Sequence, residues 1–146
     1  MSTDAGALMR RQTGAALGTV MDGAPYVSLV LTAFDADGAP LLLLSDLAQH
    51  SRNILADNRV SLLFDGTQGL ADPLTGPRLT VLGTAVRHDD GSALERYVAR
   101  QPSAAQYAGF GDFHLYRVRI DRGHFVAGFG RIRWIEASAL LGEMGI

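Results

Sequence analysis

Apolar residues recur along this chain in two rhythms, and each predicts its own kind of element. Segments 25–34 (PYVSLVLTAF) and 78–87 (RLTVLGTAVR) are rich in β-branched and aromatic residues and read as strands. The run at 41–44 follows the turn sequence Asp35-Ala36-Asp37-Gly38, so it pairs with 25–34 as a hairpin. Further strands are expected at 60–64, 113–120 and 125–129, with an extension through 131–135. Helical spacing appears at 5–20, with Leu8, Ala15, Ala16 and Leu17 apolar, and at 47–56, where Leu47, Ile54 and Leu55 face a core. It appears again at 89–100, where Leu94, Tyr97 and Val98 share a face and Pro102 ends the helix. A second short helix is expected at 103–109, and 65–77 (DGTQGLADPLTGP) is a Gly/Pro-rich loop.

Six or seven short strands, with helices that do not alternate with them, predict a mainly β fold. An antiparallel barrel with added helices fits better than a doubly wound sheet. The 146 residues form one domain, 1–146, and no repeat divides them.

Composition removes several chemistries. With no Cys there are no disulfides, thiolate nucleophiles or zinc–thiolate sites. All 13 basic residues are Arg, which excludes Schiff-base lysines and a lysine phosphate clamp. A net charge of −2 with scattered Arg leaves no stripe for nucleic acid. No apolar run approaches the roughly 20 residues that span a bilayer, and no apolar signal core follows Arg10 and Arg11. A cytoplasmic protein without membrane association is expected. His88, His114 and His124 lack paired ligand spacing, so no metal site is expected. The hydrophobic share of 47% is high for a small chain and leaves surface that a second copy would cover.

The candidate chemistry lies at 45–53 (SDLAQHSRN). A helix start there offers backbone N–H groups and a positive dipole end to an anion, with His50, Ser51, Arg52 and Asn53 adding donors within one turn. A capped surface helix with a polar face accounts for the same spacing. Two uses also stand open for Ser28 (ligand contact or core hydroxyl), Arg78 (ligand contact or solvated strand start) and Trp134 (ligand contact or packing).

The order PYVSLV, PLLLLSDLAQHSRNILADNRVSLLF, DPLTGPRLTVLGTAVR and RYVARQPSAAQYAGFGDFHLYRVRIDRGHFVAGFGRIRWI closely resembles the pyridoxamine 5'-phosphate oxidase-like FMN-binding split barrels. Within them it resembles the haem-utilisation (HugZ-like) branch, without that branch's extra C-terminal domain. The resemblance implies a Greek-key-like split β-barrel and a homodimer with FMN at its interface. It sets Ser28, Leu29 and Val30 along the flavin ring, and Ser45, His50, Ser51 and Asn53 around the phosphate with Arg52 as an accessory charge. Arg78 would approach the ribityl chain, and Phe129, Arg131 and Trp134 would line the ring or arrive from the other subunit. Oxidases of vitamin B6 carry Ser-Arg-Lys where this chain has Ala48-Gln49-His50, and Arg-Leu-His where it has Arg131-Ile132-Arg133. These departures point away from pyridoxamine phosphate as substrate. An FMN-dependent oxidoreductase of unidentified substrate and electron donor is expected. The alternatives are a flavin or haem carrier or sensor without turnover, or a haem-utilisation protein with weak haem degradation.

Overall fold

Asp22-Gly23 sets the first hairpin. Both residues have positive φ, 51° and 81°, the backbone of a tight turn whose twist matches that of the strands it joins. In the computed structural model, which describes residues 4–142, this turn connects β1 (Gly14–Met21) to β2 (Ala24–Leu31). The expected helix over 5–20 is therefore corrected. Only α1 (Asp4–Arg11) is helical, and inward positions Ala15, Leu17 and Thr19 recur with the period of two that a strand requires.

The expected strand 25–34 divides at Thr32, which is fully buried and donates to the Gln12 carbonyl. Its remainder, β3 (Ala33–Phe34), pairs with β4 (Pro40–Ser45) across the Asp35–Gly38 turn, whereas β2 pairs with β1. The expected hairpin thus survives only at its tip. After β4 come α2 (Gln49–Ala56), β5 (Arg59–Asp65), β6 (Arg78–Arg87) and α3 (Gly91–Arg100). The segment expected as a second short helix is a 3-10 turn, Pro102–Gln106.

Two strands expected near the end of the chain are one, β7 (Phe113–Gly128, 16 residues). Asp121-Arg122-Gly123 reads as a turn in sequence, but a bulge opposite Leu82/Gly83 absorbs the extra residue and the ladder continues. Gly83 must be glycine, because a methyl group there would collide with the Arg119 carbonyl. Finally β8 (Arg131–Glu136) returns along β7, and α4 (Ala137–Leu140) closes the described chain.

The strands form one antiparallel sheet ordered β2-β1-β5-β6-β7-β4-β3, with β8 beside the second half of β7. Its concave side holds the main core. Leu17, Leu62 and Val81 lie side by side there with no exposure, each contributing about 1.5–3 kcal/mol by burial. A second cluster packs Tyr97 and Ala93 of α3 against Leu41, Leu43 and Leu115. In α2 only Ile54 joins the core. Leu47 (75% exposed) and Leu55 (88% exposed), expected inward, point to solvent, because the helix starts at Gln49 and Asn53 takes the second inward position.

Candidate functional site

Where β4 leaves the sheet, side chains bend the backbone into α2. The Ser45 hydroxyl donates to Asp112 (2.9 Å) and accepts from the Leu47 amide (3.1 Å), while the Asp46 amide donates to the Asp112 carbonyl (2.7 Å). The Asp46 carboxylate lies 3.0 Å from Nε2 of His114, whose Nδ1 is 2.6 Å from the Arg87 guanidinium. Arg cannot accept, so Nδ1 is the acceptor and Nε2 carries the proton. Ala48 then enters the helix extended and without a side-chain cap.

The first turn of α2 is tied to the first hairpin. Asn53 donates to the Thr19 hydroxyl (3.0 Å) and accepts from Gln49 (2.8 Å), whose oxygen accepts from Arg52 (3.3 Å). His50 Nδ1 and the Ser28 hydroxyl are 2.9 Å apart, leaving Nε2 open. Burial lowers the His50 pKa from its ordinary 6.5, so the ring is neutral at pH 7. Ser51 is 4% exposed, and its hydroxyl has no hydrogen-bond partner among the described residues. An unpaired buried hydroxyl costs about 1–3 kcal/mol. Beside an uncapped helix start it is a vacant donor for an anion.

The remaining sequence-derived candidates spread over the sheet. The edge strand β2 pairs only with β1. Thr32 N–H bonds to the Thr13 carbonyl, and the alternation of an antiparallel ladder then turns the amides of Leu29 and Val27, rather than those of Ser28 and Val30, toward the open edge. The Leu29 side chain is 81% exposed on the convex face, while Val30 lies in the core. Arg78 donates to the carbonyls of Leu74 and Gly76 (both 3.2 Å) and holds the 65–77 loop. Phe129 is 83% exposed at the turn after β7.

Trp134 is 53% exposed, packed between the tilted His124 ring (centroids 4.5 Å apart) and the Arg122 guanidinium (4.2 Å). Arg131 lies on the opposite side of β8, lining a groove with Arg133 and Arg11. No hydrogen bond, ion pair or ring contact among the described residues joins Phe129, Arg131 or Trp134 to the Ser28–His50 group.

Register supplies a connection that sequence reasoning missed. Leu29, Ala16, Leu63, Thr80, His124 and Trp134 are successive cross-strand neighbours, forming one row across the convex face from β2 to β8. Val27, Leu31 and Ile132 stand exposed in the flanking rows. The row's mixed composition leaves no mark in any one segment. The Asp46–His114–Arg87 chain and the Thr19 partner of Asn53 also escaped the sequence, since their bonds join residues 27 to 68 positions apart.

Comparison with known proteins agrees with this fold. A sequence profile described as pyridoxamine 5'-phosphate oxidase matches residues 3–127. The non-canonical heme oxygenase HOZ, chloroplastic, of Arabidopsis thaliana is 37% identical over 112 residues, 73% of this chain and 33% of that protein. A heme binding protein from Mycobacterium smegmatis superposes with a TM-score of 0.86 at 28% identity, over 96% of this chain and 61% of that one. Campylobacter jejuni ChuZ shares the fold, with a TM-score of 0.80 at 20% identity, over 95% of this chain and 60% of that one. The chain thus spans a third of the curated relative and about three-fifths of these two structures. It belongs to the pyridoxamine 5'-phosphate oxidase family of split β-barrels, among relatives that bind or use haem.

Proposed function

We propose that the protein is an FMN-binding homodimer acting as an FMN-dependent oxidoreductase. The observation that carries this reading is the buried, unpartnered Ser51 hydroxyl in the uncapped first turn of α2, beside the outward Nε2 of His50. This is the donor set a terminal phosphate needs. Asn53 positions the turn through Thr19, and Arg52 adds charge from the exposed side. Ser45, already engaged by Asp112, shapes the approach to the helix. The Leu29 and Val27 amides supply donors for the polar edge of a ring lying along β2, and Arg78 keeps the 65–77 loop in place beside it.

The convex row supports the homodimer. Its apolar groups exceed what scattered surface residues require, and a two-fold axis through its middle strands would lay β8 of one protomer against β2 of its partner. The partner's Trp134 and Phe129 would then complete a site that neither chain assembles alone. Arg131, on the other side of β8, is left out of that site. Bound FMN supplies the electron-accepting ring, while the protein binds, orients and shields it.

Titration of the purified protein with FMN and riboflavin tests the reading. FMN should bind at least tenfold more tightly and be reduced by NAD(P)H; equal dissociation constants would remove the phosphate site. Haem is the second reading, favoured by the relatives' names. A Soret band on haem addition that decays with reductant and oxygen, even with catalase present, would establish it.

A further inference from the structure

The concave side of β8 carries chemistry that the flavin reading does not use. Period-two alternation sends Ile132 and Trp134 outward, and Arg131 and Arg133 inward toward α1, where Arg11 meets them. The three guanidiniums line a groove of about 270 Å³ whose floor includes Leu8 and Phe125, both almost fully buried. Arg133 lies over the Phe125 ring at 5.5 Å. None of the three forms an ion pair or hydrogen bond among the described residues. Among the described residues Asp4 is the one acid on the rim, which leaves an excess of two positive charges there.

Like charges in excess repel, and here the three solvent-exposed guanidiniums surround an apolar floor. A ligand that neutralises them and fills the floor gains both terms. Guanidiniums accept carboxylate or phosphate oxygens two at a time, which fixes the orientation of such a group. The volume falls below the roughly 300–1,000 Å³ of drug-sized pockets, so one ring with one anionic group fills it. The geometry points to a binding site between α1 and β8 for a small aromatic or apolar carboxylate or phosphate monoester, separate from the convex face and independent of the flavin reading.

The probes are phenyl phosphate, benzoate and benzyl alcohol, titrated into the 146-residue chain with and without FMN and followed by amide NMR. Phenyl phosphate and benzoate should shift the amides of Phe125, Arg131 and Arg133 whether or not FMN is present, and benzyl alcohol should not. The tighter of the two anions identifies the headgroup. The pair Arg131→Gln with Arg133→Gln should weaken that anion at least about tenfold. Arg96→Gln, an exposed arginine on α3, should leave it unchanged. These side chains are exposed, so the variants should melt with the parent. Shifts at His50 and Ser51 in place of the groove, equal binding of benzyl alcohol, or an affinity untouched by the double substitution would each overturn the proposal.

Discussion

The start of α2 and the hairpin joining β7 to β8 are built from opposite materials. At α2 nearly every polar side chain is spoken for: Asn53 reaches Thr19, His50 meets Ser28, Ser45 meets Asp112, and Ser51 alone is left over. At the hairpin, Phe129, Ile132 and Trp134 stand in solvent with little beyond Arg122 and His124 to cover them. One region is organised within a single chain, and the other is apolar surface that the proposed dimer would cover. Side-chain networks fix a geometry in the isolated fold, whereas an exposed apolar row gains free energy only on association.

The strongest way to break this contrast is to place a charge on the convex row. Leu29→Asp should abolish the dimer at micromolar concentration, read by sedimentation. It should also weaken FMN by on the order of 100-fold, because a carboxylate buried without a partner costs several kcal/mol. Retained flavin in a monomeric variant would show that α2 suffices alone. Next in size, Asn53→Ala strips the buried Thr19 hydroxyl of its donor and should destabilise the fold by about 1–3 kcal/mol in chemical denaturation. Trp134→Ala should leave the monomer's stability within about 1 kcal/mol while weakening flavin, the inverse signature.

Ser51→Ala should separate folding from binding. Without ligand it removes an unsatisfied hydroxyl and is neutral or slightly stabilising, yet it should weaken FMN by about 1.5–3 kcal/mol, the value of a bond to an anion. A loss of apo stability would mean the hydroxyl is paired. The smallest effect is the pH dependence at His50. Its folded pKa lies below 6.5, so the unfolded chain binds the extra proton first. The contribution is complete above pH 6.5 and is lost as pH falls from there through the lowered folded value. His50→Gln should flatten the stability profile in that window, and an unchanged slope would put the titration elsewhere.

Parts of the fold and of the candidate site were legible in the sequence. Segment 78–87 matched β6 to the residue, since alternation and β-branching agree along its length. His50, Ser51 and Asn53 sit one turn apart in sequence, so local spacing was enough to group them. The failures arose where local signal and tertiary pairing disagree. Ala15, Ala16 and Leu17 suit a helix, but Asp22-Gly23 folds them into a hairpin. Leu47 and Leu55 look like core until the helix start shifts by two residues. Arg131 and Trp134 seemed to serve one ligand, yet odd and even positions of a strand part company.

The path of β7 bears on how the chain is made. Residues up to 87 can build the four strands β2-β1-β5-β6 by themselves, but β4 finds only the two residues of β3 beside it. Its other edge, and that of β6, wait for residues 113–126. During synthesis at about 5–20 residues per second, an apolar Pro40–Ser45 edge therefore stays unpaired for several seconds after it emerges. Contacts this distant in sequence also make closure slow. The nascent barrel is most prone to aggregate in that interval, and slower translation beyond residue 87 would lengthen it.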